Sequence, residues 1–327
     1  MTPLLAPVAF LLTAVPMAAL LDRLGFFAAV AARVPASALG LWVFGALVTT
    51  LLNLDTSVVL LTPLYTRIDR RLAIQPALLA LVASSALPVS NLTNLIAASG
   101  AHVTTGQLLV HLGPPSLVAT TVAWFAYRRL DPTLGSGRLS GHVTDKRPEL
   151  DRVAAVVVGV VVVGFVGGRY VGIEPWMVAL AACVVLGLRA GSFPWRSVPV
   201  ATAAGVLVLG GIAAFLMRDV DLHRLATADG PLGVVVVAGL TAVAANVVNN
   251  LPAVLVVVQG VGHPAPGLWP ALLGVNMGPF VLVTGALSSL LWMRATGSTP
   301  RDFTSAAVRV VGPAFLAAIA TMALLSI

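Results

Sequence analysis

Two short stretches place polar side chains inside otherwise apolar segments, in a pattern that suits the binding of an ion or a small solute. TTLLNLDTSVVLLTPLY holds one acid, Asp55, among Leu, Val and Thr, and AVAANVVNNLPAVLVVV repeats the design with Asn246, Asn249 and Asn250. A carboxylate can carry a proton or a cation, and amide groups both donate and accept hydrogen bonds. An aspartate at the centre of a membrane helix costs roughly 2.5 to 3.5 kcal/mol. Polar residues kept at matched positions despite that cost indicate a binding site.

The composition predicts an all-α polytopic membrane protein. Of the 327 residues, 58% are hydrophobic and 9% charged, and the mean hydropathy is +0.99. A soluble domain carries about 25% charged residues, so polar surface is too scarce here for a water-soluble globule. The apolar blocks are continuous, whereas a membrane β-barrel alternates apolar and polar residues. Full spans are predicted at about 4–21, 72–100, 107–127, 153–171, 173–189, 199–216, 269–293 and 310–326.

Two further segments, 36–66 and 231–260, do not fit as full spans. Each has about 30 residues, whereas one crossing needs about 20 and two need about 40. Both carry small and polar residues near their centres. Each segment therefore predicts a re-entrant helical hairpin, which membrane proteins tolerate where it is buried in protein or lines a wet cavity. Asp55 and Asn250 are expected at equivalent positions on the two tips.

The basic residues support this topology, because cytoplasmic loops carry an excess of Lys and Arg. With the amino terminus outside, sixteen of the 19 Lys and Arg residues fall on the inside. Reading either hairpin as a single span spoils this asymmetry. Both termini are therefore predicted to lie outside, and the hydrophilic linker 128–152 is predicted to lie in the cytoplasm.

Each predicted hairpin precedes a long span that contains helix-breaking residues. Pro88 interrupts 72–100 within SSALPVSNLTN, and Gly278 and Pro279 interrupt 269–293. A hairpin followed by a broken helix, repeated in opposite orientation, predicts the inverted structural repeats typical of secondary transporters.

The two predicted repeats, 1–127 and 153–327, have different numbers of helices. The second repeat has three spans before its hairpin and the first has one. Two N-terminal helices of the first repeat are therefore expected to be missing. A shortened natural form, a mis-assigned start and a degenerate copy would each explain the difference.

The candidate site combines residues from the hairpin tips and the helix breaks, where half-helix ends offer free N–H and C=O groups. Asp55 is the predicted carrier of a proton or cation; the alternative is a buried acid hydrogen-bonded to the hairpin backbone. For the polar residues of the first break, backbone capping explains the residue types about as well as ligand binding does. The predicted binding residues are Asp55, Thr56, Ser90, Asn91, Thr93, Asn94, Asn249, Asn250, Asn276 and Thr284.

Other classes of function have little support in the sequence. The single cysteine, Cys183, excludes a disulfide framework and a multi-thiolate metal site, and the five histidines show no metal-ligand spacing. The basic residues sit in short loops, so nucleic acid is not an expected partner. The sequence has no HExxH motif and no paired intramembrane aspartates. We therefore expect neither an enzyme nor a bound cofactor.

Several of these stretches resemble the arsenite permease family, the arsenical pump membrane proteins of the wider ion transporter superfamily. The resemblance runs along almost the whole chain, through LLDRLGFF, LDTSVVLLTP, VSNLTNLI, NNLPAVLV and MGPFVLVTGALSSLLW. It implies proton-driven export of trivalent arsenic or antimony across a bacterial plasma membrane. It also implies a carrier whose hairpin-bearing domain moves against a scaffold. By family analogy alone, a homodimer and an ATPase partner subunit are expected.

The sequence departs from the pattern of that family at three places in the predicted site. The family usually has Asn-Asp at the first tip, whereas Leu54 precedes Asp55 here. The acid that is usual before the SN of the first broken helix is missing, and Ser84 and Ser85 lie nearby. Asn276 stands where the second broken helix usually has Asp. Asp55 is thus the one matching acid left at the site.

The expected function is secondary active transport, with proton-coupled efflux of arsenite or antimonite as the leading hypothesis. Trivalent arsenic is mostly a neutral trihydroxide near neutral pH, so hydroxyl, amide and carbonyl groups can bind it. A neutral solute gains nothing from the membrane potential, and its active export therefore needs a coupled ion, H⁺ or Na⁺. A Na⁺/H⁺ antiporter would use the same carboxylate, and a dicarboxylate-type anion carrier would use helix N-termini. A truncated membrane protein that does not transport is the remaining alternative.

Overall fold

The computed structural model describes residues 5–33, 37–51, 53–132, 149–168, 172–216, 229–261 and 263–326. Within these ranges the chain is helical and contains no strand, so the predicted all-α fold is confirmed. The first seven α-helices are α1 Leu5–Arg23, α2 Phe26–Ala31, α3 Ala38–Leu51, α4 Leu54–Ile68, α5 Gln75–Val82, α6 Leu92–Gly100 and α7 Thr105–Leu130.

The second half of the described chain adds eight α-helices. They are α8 Arg152–Gly167, α9 Pro175–Ala190, α10 Val200–Leu216, α11 Gly230–Val248, α12 Asn250–Val261, α13 Leu268–Met277, α14 Leu287–Thr296 and α15 Pro300–Leu325. The linker predicted over 128–152 lies mostly at 133–148, outside the described residues.

Helices α3 and α4 form an antiparallel hairpin. Thr49 Oγ1 donates to Ser57 Oγ at 2.9 Å near the turn, and the Tyr65 hydroxyl donates to the Leu41 carbonyl further along the pair. A lower residue number on α3 is thus paired with a higher one on α4, as expected for two helices that run in opposite directions. The two helices have 14 and 15 residues, so the turn beside Asn53 divides the segment almost equally.

Helices α11 and α12 also pack on each other, but they differ in length. They have 19 and 12 residues, which correspond to about 28 and 18 Å at 1.5 Å per residue. The chain turns at Asn249, whose φ of 78° is a conformation that Asn tolerates better than most residues. The second hairpin is therefore asymmetric, and its first limb alone is nearly as long as the roughly 30 Å hydrocarbon core.

Two spans predicted as interrupted are each divided into two short helices. Residues 83–91 separate α5 from α6, and residues 278–286 separate α13 from α14. Pro88 lies in the first gap, and Gly278 and Pro279 lie in the second. Proline lacks an N–H and clashes with the preceding turn of a helix, so each gap contains a residue that cannot continue the helix.

The order hairpin, broken helix and long helix occurs twice, as α3–α7 and as α11–α15. Within each set, the first hairpin helix packs on the first half of the broken helix: α3 on α5, and α11 on α13. Between the sets, α4 packs on α14, α12 packs on α6, and the long helices α7 and α15 pack along each other. We call these ten helices the core group.

Helices α1, α8, α9 and α10 form a second group, which we call the flanking group. Helix α1 packs along α9 and also contacts α10, and α8 packs on α9. The flanking group meets the core group where α1 contacts α4 and where α10 contacts α11 and α12. The first hairpin therefore lies against the flanking group along the seam between α1 and α4.

Three of the described helices, α7, α11 and α15, are long and apolar enough to cross a membrane. Five shorter apolar helices of 10 to 17 residues accompany them, including α3 and α9. Large apolar side chains also point outward from several helices, as Leu117 of α7, Leu188 of α9 and Leu316 of α15 do. Exposed apolar surface of this extent fits a multi-pass protein surrounded by lipid.

Candidate functional site

Asp55 lies in the first turn of α4, at the tip of the first hairpin. Its side chain is 8% exposed, and among the described residues its Oδ1 atom has no hydrogen-bond partner. The tip is held in place by backbone donors: the Asp55 N–H donates to Asn53 Oδ1 at 2.9 Å, and the Leu54 N–H donates to the Ser90 carbonyl at 2.9 Å. A carboxylate buried without a partner is costly unless a proton or a cation neutralises it.

A cavity of about 60 Å³ adjoins Asp55 at the seam between the two groups. Phe10 of α1 and Pro175 and Trp176 of α9 line it from the flanking group, and Thr56 lines it beside Asp55. The cavity has room for about two water molecules or a small ion, since a water occupies about 30 Å³ in the liquid. The carboxyl group thus faces a space between two groups of helices that can hold a small ligand.

A larger cavity, of about 400 Å³, lies further along the same seam. Helix α4 lines it with Val59 and Pro63, and α1 lines it from Val15 to Asp22. Asp55, Val59 and Pro63 are four residues apart and therefore lie on one face of α4. This face of α4 thus connects the cavity at Asp55 with a cavity near the opposite end of α1.

Side chains satisfy the carbonyl groups that the first break leaves without a helical partner. Ser90 Oγ donates to the carbonyls of Ser84 and Leu87, and Asn94 Nδ2 donates to the carbonyls of Ser84, Ser85 and Leu87. Asn91 caps α6, because its Oδ1 accepts the Thr93 N–H at 3.1 Å. The interpretation of these residues as backbone caps therefore accounts for their observed bonds.

Asn276, at the end of α13, joins the two breaks. Its Nδ2 donates to Asn94 Oδ1 at 2.7 Å, and its Oδ1 accepts from Asn91 Nδ2 at 3.3 Å and from the Thr93 hydroxyl. All four side chains are buried. The polar groups of these side chains are therefore occupied by hydrogen bonds to one another, and the network fixes one broken helix against the other.

The backbone groups of the second break are bonded by side chains from outside the broken helix. Asn246 Nδ2 donates to the Gly278 carbonyl at 2.7 Å, and Asn246 Oδ1 accepts the N–H groups of Val281 and Leu282 at 3.0 and 2.9 Å. Asn249 Nδ2 donates to the Thr284 carbonyl at 2.8 Å. Both asparagines belong to the second hairpin, which therefore holds the second break in shape.

Helix α14 begins without a side-chain cap, unlike its three counterparts. Asn53, Asn91 and Asn249 cap α4, α6 and α12, each by accepting the N–H two residues ahead. Within the described ranges, no side chain caps the start of α14 at Ala286. Ser288 and Ser289 in its first turn are fully buried, and their hydroxyls have no partner in the described part of the chain. The positive end of a helix dipole and two free hydroxyls thus coincide there.

The ten predicted site residues fall into three groups. A paired set binds other protein groups and comprises Ser90, Asn91, Thr93, Asn94, Asn249 and Asn276. An unpaired set has a buried oxygen atom with no partner among the described residues and comprises Asp55, Thr56 and Asn250, with Ser288 and Ser289 in addition. Thr62, Gln75 and Ser85 also have such an atom but are not assigned to this set. Thr284 is exposed and contributes its carbonyl group.

Three residues with a role in this region, Asn53, Ser288 and Ser289, lie outside the ten predicted from the sequence. Asn53 stands two residues before Asp55, which is a typical helix-cap signal, whereas Ser288 and Ser289 resemble other helical serines. The capping bonds match Asn53 with Asn249, so Asp55 corresponds to Leu251 rather than to Asn250. An acid therefore occupies this position in one tip and an apolar residue occupies it in the other.

The described residues contain no group of three or more His, Cys, Asp or Glu side chains able to hold a metal ion. Cys183 is a free, buried cysteine, and its thiol contacts the Thr13 carbonyl at 3.1 Å. This contact joins α9 to α1 within the flanking group. Cys183 therefore has a packing role at this position.

Comparison with known proteins identifies the family. A family model described as citrate transporter matches residues 3–297. The arsenical pump membrane protein of Escherichia coli is 27% identical over 240 residues, which cover 64% of this chain and 56% of that protein. The chain thus spans little more than half the length of this relative. The match over most of its own length shows that the chain belongs to the citrate transporter family, whose membrane setting agrees with the apolar helices of a multi-pass membrane protein.

Proposed function

We propose that the protein is a proton-coupled carrier that exports arsenite or antimonite, with Asp55 as the coupling group. The observation that carries this proposal is the buried, unpaired Asp55 carboxyl group at the seam between the core and flanking groups. A group that must gain and lose a proton during transport cannot be permanently paired with a cation. Its position on the seam would let a movement of one group against the other change the side from which protons reach it.

The unpaired set supplies groups suited to a neutral trihydroxide. Ser288 and Ser289 can donate to or accept from a solute hydroxyl, and Asn250 offers an amide oxygen. Helix α14 carries both serines and packs on α4, which carries Asp55. We therefore place the solute between the first turns of α4 and α14. No thiol is needed, in keeping with the single cysteine in the flanking group.

The proposed cycle depends on the inverted-repeat arrangement of 1–127 and 153–327. Its support is the repeated order of hairpin, broken helix and long helix, and the exchange of partners in which α4 meets α14 and α12 meets α6. In this proposal both hairpins are re-entrant, and the end of the bundle with Arg23, Arg67 and Arg128 faces the cytoplasm of a bacterial cell. The homodimer and the ATPase subunit stay predictions from family analogy.

A second candidate is an anion carrier of the citrate type. The uncapped start of α14 favours it, because a helix N-terminus attracts a carboxylate and α14 offers two free hydroxyls beside that end. The name of the matching family model points to the same class of solute. The two candidates share a location and differ in the charge of the solute.

Transport into everted membrane vesicles tests both candidates. The native chain is expected to take up arsenite on energisation, and a protonophore or Asp55→Asn should abolish the uptake. Asp302→Asn is the matched control, because Asp302 is an exposed acid that accepts from the Thr299 N–H in the capping box of α15, and the amide oxygen of Asn can accept the same bond. Arsenite uptake that survives both the protonophore and Asp55→Asn would contradict proton coupling through this residue. Citrate uptake without arsenite uptake would instead select the anion carrier.

A further inference from the structure

A cavity of about 790 Å³ is a groove on the outside of the core group and is separate from the Asp55 site. Its walls are α3, from Leu39 to Thr50, and α7, from Leu109 to Phe125. Ala83 and Ala86 of the first break form part of its lining. The wall on α7 extends for about 24 Å at 1.5 Å per residue. An acyl chain that fills one leaflet needs about 15 Å, half of the hydrocarbon core.

The groove is apolar although it contains four hydroxyl groups. Ser116 donates to the Val82 carbonyl at 2.7 Å, and Thr50 donates to the Ala83 carbonyl at 2.8 Å. Thr120 and Thr121 donate to carbonyls of their own helix at 2.8 Å. None of these four donors is left for an occupant. The first two bonds also satisfy carbonyls at the first break, so water in the groove would compete with them.

One end of the groove is marked by aromatic and basic side chains. The Trp42 ring stacks on Tyr127 with centroids 5.5 Å apart and lies 5.8 Å from the Trp124 ring. Such aromatic clusters are typical of the membrane–water interface. Arg128 and Arg129 follow within the next turn of α7 and are exposed.

Arg128 lies on the groove face of α7. It is four residues beyond Trp124, seven beyond Thr121 and eleven beyond Leu117, all of which line the groove. The Arg128 guanidinium carbon lies 6.0 Å from the centre of the Trp124 ring. Neither Arg128 nor Arg129 forms an ion pair with an acid in the described ranges. The cationic end of the groove complements an anionic lipid headgroup, and the apolar groove complements an acyl chain.

We propose that the groove binds an anionic phospholipid, with the phosphate at Arg128 and Arg129 and an acyl chain along α3 and α7. The acyl chain would cover Ala83 and Ala86 and keep water from the hydroxyl–carbonyl hydrogen bonds of the first break. Helices α3 and α7 contact each other at Trp42, but less extensively than the corresponding helices α11 and α15 do in the second half of the molecule. The bound lipid would thus complete the first half of the core group.

Thermal melting of the full, delipidated chain in detergent tests this site. Dioleoyl phosphatidylglycerol is expected to raise the melting temperature by several degrees, and phosphatidylcholine with the same acyl chains by less. Replacing both arginines (Arg128→Gln with Arg129→Gln) should remove the advantage of phosphatidylglycerol. Gly113→Leu should fill the groove, because Gly113 lines it and the nearest atom to an added Cβ is Leu109 Cδ1 at 3.5 Å. That variant should lose the response to both lipids.

The controls change the same residue types elsewhere. Arg301→Gln alters an exposed arginine on α15, and Gly159→Leu alters a glycine on α8 that has open space around it. Both should respond to lipid as the native chain does. The proposal is overturned if the two lipids stabilise the native chain equally, if the double arginine variant keeps its preference, or if Gly113→Leu responds like the native chain. Equal stabilisation by soluble glycerol phosphate would indicate a free-phosphate site and would also overturn it.

Discussion

The paired and unpaired sets differ in bonding although both are buried and polar. Asn94 and Asn276 bond to each other, and each has further partners. Asp55 and Ser288 have buried oxygen atoms without any partner among the described residues. Burial of a polar group in a transporter therefore does not by itself mark a binding site. Partnered groups hold the breaks in shape, and we propose that the members of the unpaired set bind the solute and the proton.

The largest loss of stability is expected at Gly274, which lets α13 approach α11 and so positions Asn276. An added Cβ would overlap Thr241 Oγ1 and the Ala238 carbonyl. Overpacking costs about 1–3 kcal/mol, and more where backbone must move. Gly274→Ala should therefore lower stability by about 3 kcal/mol or more, measured by melting in detergent. Gly159→Ala, with nothing within 4 Å of the new Cβ, should have almost no effect.

Asn276→Ala is expected to have the next largest effect. It leaves Asn94 Oδ1 and the Asn91 and Thr93 donors without this partner. Each buried orphaned group costs about 1–3 kcal/mol, although hydrogen bonds in membrane proteins average about 0.6 kcal/mol. We expect a loss of about 2 kcal/mol in a melting experiment. A stability equal to that of Thr121→Ala, which alters an exposed hydroxyl, would show that the network is not structural.

Ser288→Ala and Ser289→Ala should give the opposite result. Removing an unpaired buried hydroxyl should leave the melting temperature unchanged or raise it slightly. The apparent Km for the solute should rise by about fivefold for each lost bond, or about 1 kcal/mol. Ser116→Ala is the matched control, since its hydroxyl is bonded to Val82, and it should lower stability without changing Km. Reversal of this pattern would show that the two sets have been assigned the wrong roles.

The smallest effect is expected at Asp151, which caps α8. Its pKa lies below the ordinary value because the carboxylate accepts the Ala154 N–H at 3.0 Å and pairs with Arg189 at 2.9 Å. A lowered pKa in the folded state contributes stability above the unfolded pKa of about 3.9, and this contribution is lost as pH falls through the folded pKa. As the pH is lowered to about 3, the native chain should therefore lose slightly more stability than Asp151→Asn does, as measured by melting curves. An equal loss of stability with pH in the native chain and in Asp151→Asn would contradict this role of the Asp151 carboxylate.

The sequence was sufficient to predict features that depend on local chemistry. Runs of apolar residues predicted the helices, and Pro88 and Pro279 lie in the two gaps between short helices. Asp55 stood out because an acid in an apolar segment is costly. These signals all come from residues a few positions apart.

The partners of each polar group could not be predicted in this way. Asn276 and Asn94 are separated by 182 positions, and their bond depends on how two broken helices meet. Asn94 and Ser288 look equally suited to bind a solute, and only the packing shows that one is bonded and the other is not. The match of Asn53 with Asn249 likewise follows from bond geometry, since the flanking residues differ.

Transport in proteoliposomes, measured with and without a pH gradient, tests the role of Asp55 most directly. In the same preparation, solute exchange at equal pH is compared with accumulation driven by the gradient, for the native chain and for Asp55→Asn. We expect Asp55→Asn to keep the exchange, because Ser288 and Ser289 still bind the solute, and to lose gradient-driven accumulation. Gradient-driven accumulation that persists in Asp55→Asn would contradict the assignment of Asp55 as the coupling group.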